Sequence, residues 1–170
     1  MVFSIAVPMT LAFLTTPLLG LVDTAVVGRL GDAALIGGLA VAATLFDIVF
    51  AAFNFFRSST TGLVAQAVGR EDGLEQQAIF WRALVTAAII GVIVILVGPL
   101  LISAGLIFMN PGAAVETAAR TYLEIRILSA PVALGNYVLL GYVLGQGRSG
   151  LGLLLQTIIY GTNIVLSIWF

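Results

Sequence analysis

The chain contains no cysteine, no histidine and no lysine. Without cysteine there are no disulfides, thiolate metal sites or thiol nucleophiles. Without histidine there is no Ser-His-Asp triad, no HExxH zinc site and no haem ligand of that type. Charge is scarce as well: seven arginines stand against eight Asp or Glu in 170 residues, for a net charge of -1. A soluble domain carries about a quarter charged residues. Here the share is 9%, too little to clothe a globule. With no basic cluster to neutralise phosphates, nucleic acid is not an expected partner. What is present is apolar: 61% of residues, with a mean hydropathy of +1.16. The composition predicts an all-α integral membrane protein with membrane lipid as its surroundings. No enzyme activity, cofactor or metal is expected.

Uncharged runs count the spans. A helix crossing a bilayer needs roughly 20 mostly apolar residues. Met1–Val22, Ala83–Met109, Ile127–Gly147 and Ser149–Phe170 carry no charge, and Ala33–Gly69 is interrupted only by Asp47 and Arg57. This predicts about five helices, near 2–28, 33–68, 76–109, 114–146 and 150–170. They are rich in small residues, as close helix packing in lipid favours. The breaks fall at Gly28–Asp32, Gly69–Gly73, Asn110–Gly112 and Gly145–Gly150, all with turn-forming residues. With the N-terminus inside, Arg70, Arg82 and Arg148 face the cytoplasm and Arg29 and Arg120 the outside, a small excess in the positive-inside sense. The run from Met1 lacks the basic start of a secretory signal. Because the chain stops at Trp169-Phe170 inside an apolar run, it is expected to be a fragment.

Polar residues inside the spans carry the functional signal, since an ionisable group there is costly. Asp23 follows 22 uncharged residues. At helical spacing it shares a face with Thr16 and Gly20, small and partly polar as a cavity lining would be. A carboxylate in a low dielectric favours its neutral form, so it can load and release a proton, or hold a cation when ionised. The alternative is that Asp23 sits near the headgroups and only caps the turn. Pro8 and Pro17 in the same segment each remove a backbone hydrogen bond and can bend it. Asp47 and Arg57 are ten residues apart, about 15 Å along one helix, too far to pair within it. Glu124 and Arg126 fall on different faces at i, i+2; with Asp47 and Arg57 they are candidate intramembrane charge partners. The hydroxyls of Ser58–Thr61 are expected to bond back to helical carbonyls. Asn136 and Asn163 need partners in lipid, either a neighbouring helix or a polar cavity.

These residues resemble a known family. Val22-Asp23-Thr24 followed by Gly28-Arg29-Leu30-Gly31 is similar to the first-helix signature of the multidrug and toxic compound extrusion (MATE) transporters. The run Ser58–Gly69 is similar to the end of their second helix. Leu123-Glu124-Ile125-Arg126 with Ser129-Ala130-Pro131, and then Gly161–Leu166, resemble the DinF-like branch. The resemblance implies two six-helix lobes around a central cavity, in the manner of repeat-built transporters. This chain, 1–170, would form most of the N-terminal lobe, lacking the sixth helix and the partner lobe. It also implies a proton- or sodium-coupled antiporter exporting small organic, often cationic, compounds across the cytoplasmic membrane by alternating access. On that reading Asp23 is the ion-coupling carboxylate and Asn163 its companion. Pro8 is the bending proline, and Tyr122, Asn136 and Thr16 line the cavity. Many relatives carry a second aspartate four residues after the asparagine; here that position is Ser167, which cannot carry charge.

Three other readings compete. An intramembrane enzyme lacks its equipment, with no His and no DDxxD-like pair. A lipid-linked precursor flippase of related architecture would line its cavity with several basic residues to hold a pyrophosphate, whereas Arg57 alone is placed inside a span. A truncated, inactive fragment would fit both Ser167 and the abrupt end.

Overall fold

A computed structural model of the chain describes Thr10, residues 20–22, 24–29 and 31–169, the side chains of 167 and 168 excepted. Among these residues the structure is helical with no strand. Residues 20–22 and 24–28 are helical, and six longer helices follow: α1 (Ala33–Ala51), α2 (Phe55–Gly69), α3 (Gly73–Met109), α4 (Ala113–Arg126), α5 (Ala130–Gly145) and α6 (Ser149–Trp169). Asp23, Thr16, Pro8 and Pro17 lie outside the described residues, as does the Ser167 side chain.

Three of the turns form where glycine, asparagine or aspartate permits them, and in the turn before α3 it is Glu71 that takes the left-handed region at φ 57. Gly31 takes φ +71, after which the Asp32 carboxylate accepts the Ala34 N–H at 2.8 Å and caps α1. Asp72 caps α3 in the same way, accepting from the Glu75 N–H at 3.0 Å. Asn110 ends α3 in the left-handed region, and Gly112 continues the turn at φ +82. Gly147, at φ +73, joins α5 to α6.

Two spans are broken inside the lipid-crossing length. The 33–69 stretch divides at 52–54, where Phe53, Asn54 and Phe56 each donate three residues back, to Phe50, Ala51 and Phe53. The 113–145 stretch divides at a short 3-10 turn, Ile127–Ser129. Pro131 explains that second break, because proline has no N–H to return to Ile127. The freed chain is stabilised locally: the Ser129 hydroxyl donates to the Arg126 carbonyl at 2.7 Å.

Packing depends on missing side chains. A Cβ on Gly91 would stand 2.4 Å from Pro131 Cα, so α3 accepts the broken span only at a glycine. Gly141 and Gly145 present a G-x-x-x-G face to α2, where a Cβ would stand 2.7 Å from the Arg57 carbonyl oxygen and 2.8 Å from that of Thr61. The Thr61 hydroxyl bonds to both the Arg57 carbonyl (2.8 Å) and the Gly141 carbonyl (3.2 Å), sewing α2 to α5. The core cluster runs between α1, α3, α4 and α5 and holds Ala42, Ala87, Val94, Leu106, Leu123, Leu134 and Val138. α6 docks on α5.

The outer surface is apolar. On α3, Val85, Ile89, Val92, Leu96, Leu100 and Ile107 are all exposed. From the first to the last, this stripe is about 33 Å long at the helical rise, close to the roughly 30 Å of a bilayer's hydrocarbon core. Only a solvent without hydrogen bonds suits such a face. Four helical stretches are long and apolar enough to cross a membrane: Ala33–Gly69, Gly73–Met109, Ala113–Gly145 and Ser149–Leu166. The charged first turns of α3, where Arg82 reaches Glu75 at 3.4 Å, lie beyond its uncharged part.

Candidate functional site

Among the described residues, polar side chains expected to carry function fall at two levels of the bundle. The first is set by Tyr122 and Arg126, one turn apart on α4. Arg126 is half-buried. Its Nη1 donates to the Tyr122 hydroxyl, and its guanidinium lies 4.3 Å from the Phe46 ring centre and 5.4 Å from that of Tyr122. A planar cation held over aromatic faces is a favourable arrangement away from water. Phe46 itself stacks on Phe50 at 4.0 Å. Arg126 is therefore matched by the Phe46 ring of α1 and, among the described residues, by no carboxylate. Glu124, two residues earlier, is exposed. Nearby, Arg120 spans Ser103 of α3 (3.1 Å) and Glu116 (3.3 Å).

The second level lies fifteen residues further along the same span, about 22 Å at the helical rise. Tyr137 of α5 is its centre. It is half-buried and feels the charge of Arg57 on α2 and of Asp47, which is exposed on α1. Beside it, the Gln156 amide of α6 donates to the Asn136 amide oxygen at 3.3 Å. Gln156 is 4% exposed, which makes this the polar seam between α5 and α6.

α6 carries a polar stripe. Ser149, Gln156, Tyr160, Asn163 and position 167 follow one another at spacings of seven, four, three and four, all on one face. Ser149 and Gln156 are buried against the bundle, Tyr160 is half-buried and Asn163 is exposed. The stripe thus emerges from the α5 contact as it approaches Asn163.

Of the residues singled out from the sequence, the structure pairs Asn136 with Gln156 and couples Tyr122 to Arg126, while Asp47 is exposed on α1 and Arg57 half-buried on α2. It does not bring Glu124 to a cation. Phe46, Gln156 and Tyr160 were not among the expected site residues. Gln156 and Tyr160 could have been found from their helical spacing to Asn163. Phe46 could not, because nothing local marks which phenylalanine meets α4. A set of His, Cys, Asp or Glu able to hold a metal ion is absent among the described residues.

Comparison with known proteins agrees with this architecture. The MatE family model matches residues 8–169. DNA damage-inducible protein F of Escherichia coli (strain K12) is 40% identical over 165 residues, which is 97% of this chain. The chain spans 36% of that protein's length. No solved structure matches. A match over nearly every residue, on helices that turn an apolar face outward, places this multi-pass membrane chain in the MatE family.

Proposed function

We propose that this chain contributes the N-terminal lobe of a cation-coupled antiporter that exports small organic compounds, many of them cationic, across the cytoplasmic membrane. A second lobe completes the central cavity and allows alternating access. Asp23 is the coupling carboxylate, loading H+ or Na+ from one side and releasing it to the other. The carrying observation is the family match through 8–169, with Asp23 inside it after 22 uncharged residues. The bundle supports the reading in a second way. The Gln156–Asn136 pair lies between α5 and α6, with Gln156 buried, while the long outward face of α3 is apolar.

The chemistry asked of the lobe is modest. A carboxylate in a low dielectric exchanges between a neutral and an ionised form as its surroundings change. Binding of the coupling ion biases the lobe toward one arrangement, and a ligand shifts an equilibrium only by its differential affinity for the two states. Asn163, exposed on the α6 stripe, supplies an amide at the end of that stripe nearest position 167. Asp23→Asn removes the titrating oxygen and keeps the size. In the intact parent protein it should abolish export while membrane insertion stays normal. An Asp23→Asn protein exporting at the wild-type rate would sink the assignment.

A further inference from the structure

Helices α1 to α5 meet along seams of two kinds. α1 lies along α4, and α2 along α5. Within each pair, side chain gives way to backbone. A Cβ on Gly38 of α1 would stand 3.0 Å from the Ala119 nitrogen and 3.2 Å from the Ala118 carbonyl carbon of α4. Farther along, the Arg126 guanidinium of α4 lies on the Phe46 ring of α1. α2 and α5 are held by Gly141, Gly145 and the Thr61 hydroxyl, and α3 joins that second pair where Gly91 meets the Pro131 backbone. Backbone contacts leave no rotamer to change, so each pair is a stiff unit.

The seam between α3 and the α1–α4 pair is different. Gly98 and Gly105 of α3 face only side-chain ends, Ile127 Cδ1 at 2.7 Å and Leu45 Cδ2 at 2.6 Å from where a Cβ would be. Beside them is a small apolar cavity walled by Leu45 and Phe50 of α1, Leu101 and Ile102 of α3, and Leu123 and Ile127 of α4. Atoms that face a void have no contacts across it to lose. The chain also leaves the α1–α4 pair through turns. Gly31, at φ +71, precedes α1, and three-residue-back hydrogen bonds follow it at 52–54. Asn110 and Gly112, both at positive φ, precede α4, and the 3-10 turn Ile127–Ser129 follows it. Short 3-10 stretches inside a longer helical span mark hinges.

We propose that α1 and α4 move as one rigid body against α3, pivoting at 52–54 and 127–129, and that the seam at Leu45 and Gly105 is where the lobe opens. The hydrogen bond from Arg120 Nη1 of α4 to the Ser103 hydroxyl of α3 (3.1 Å) crosses that seam and acts as its catch. The proposal names the moving part of the lobe and does not rest on Asp23 as the coupling group.

The test uses the intact parent protein in lipid nanodiscs, with spin labels on pairs of introduced cysteines. Residues 1–170 have no cysteine of their own, and any elsewhere is replaced by serine. Leu35→Cys with Leu96→Cys reads α1 against α3. Leu35→Cys with Ile125→Cys reads within the α1–α4 pair, and Leu63→Cys with Leu96→Cys reads α2 against α3. All four positions are exposed. Pulsed electron resonance should give narrow distance distributions for the last two pairs. The first should be wider by about 2 Å or more, the scale of helix shifts at packed interfaces. Gly105→Leu wedges the seam and should lengthen the first distance while the distance within the α1–α4 pair stays fixed. Adding Leu45→Ala gives the room back and should reverse that change.

A lock supplies the functional readout. Leu45 Cγ stands 3.0 Å from where a Gly105 Cβ would be, so cysteines at these two positions come within disulfide reach. Oxidised Leu45→Cys/Gly105→Cys protein should stop ethidium flux in proteoliposomes until a reductant is added. Gly37→Cys/Val115→Cys, whose Cβ atoms would be 4.0 Å apart, ties the moving pair to itself and should leave flux unchanged. Absence of ethidium flux in the unsubstituted protein would count against the export reading, and the distances alone would then decide the hinge. The proposal is overturned if the Leu35–Leu96 distribution is as narrow as that of Leu63–Leu96, if Leu35–Ile125 spreads with it, or if flux continues through the closed seam disulfide.

Discussion

Gly141 offers a test of the packing with a sign that can be worked out in advance. It is buried in α5, and a Cβ there would stand 2.7 Å from the Arg57 carbonyl oxygen, 3.0 Å from Thr60 Cβ and 3.2 Å from Arg57 Cα. Two of these three atoms are backbone, so no rotamer change relieves them. Carbon atoms pack best at about 3.5–4.0 Å, so Gly141→Ala must push α2 and α5 apart. Overpacking of this kind costs about 1–3 kcal/mol. Separation also stretches the Thr61 hydroxyl bond to the Gly141 carbonyl, already 3.2 Å long. An interhelical bond of that sort in a membrane protein contributes about 0.6 kcal/mol. Against this, alanine improves helix propensity over glycine by about 1 kcal/mol. The net expectation is destabilisation by about 0.5–2.5 kcal/mol. Gly62, on the exposed side of α2, is the control. A Cβ there meets nothing within 4 Å, so Gly62→Ala should stabilise by up to about 1 kcal/mol from propensity alone. Both variants are compared by SDS-induced unfolding in mixed micelles, followed by far-ultraviolet circular dichroism. Opposite signs support the α2–α5 contact. Gly141→Ala stabilising the protein as Gly62→Ala does would refute it.

Other outcomes follow from the same contacts. Gln156→Leu leaves the Asn136 amide oxygen without its α6 donor, and unfolding midpoints should fall by the equivalent of about 0.6–1.7 kcal/mol; a double-mutant cycle with Asn136→Leu should return a coupling of that size, and zero coupling would remove the seam from the account. Ser167→Asp restores a carboxylate one turn beyond Asn163 and should strengthen the dependence of export on the proton gradient; an unchanged dependence would show that a second carboxylate has no use in this lobe.

Much of the fold was legible because the membrane removes choices. Backbone groups in lipid must be satisfied within the segment, so long uncharged runs in this composition read as helices. The turns were legible because Gly31, Asn110, Gly112 and Gly147 need or tolerate left-handed backbone, and all four adopt it. The two breaks inside spans differ in kind. Pro131 signals one of them. The other, at 52–54, lies in Ala51-Ala52-Phe53-Asn54-Phe55, which has neither glycine nor proline, and only packing decides it.

The candidate site was less legible. Tyr122 and Arg126 at i, i+4 were visible as neighbours, but the Phe46 face that completes their arrangement comes from a residue 80 positions before Arg126. Likewise, Asp47 and Arg57 looked too far apart to act together on one helix. The electrostatic influence of both on Tyr137 of α5 is something no spacing within 33–69 could indicate.

Coupling of an ion to export by Asp23 is measured with purified parent protein in proteoliposomes. Organic-cation flux is measured under an imposed proton gradient and, separately, an imposed sodium gradient. One of the two gradients should drive flux in the unsubstituted protein, and Asp23→Asn should lose that response while still inserting normally. Gradient-driven flux that survives Asp23→Asn would contradict it.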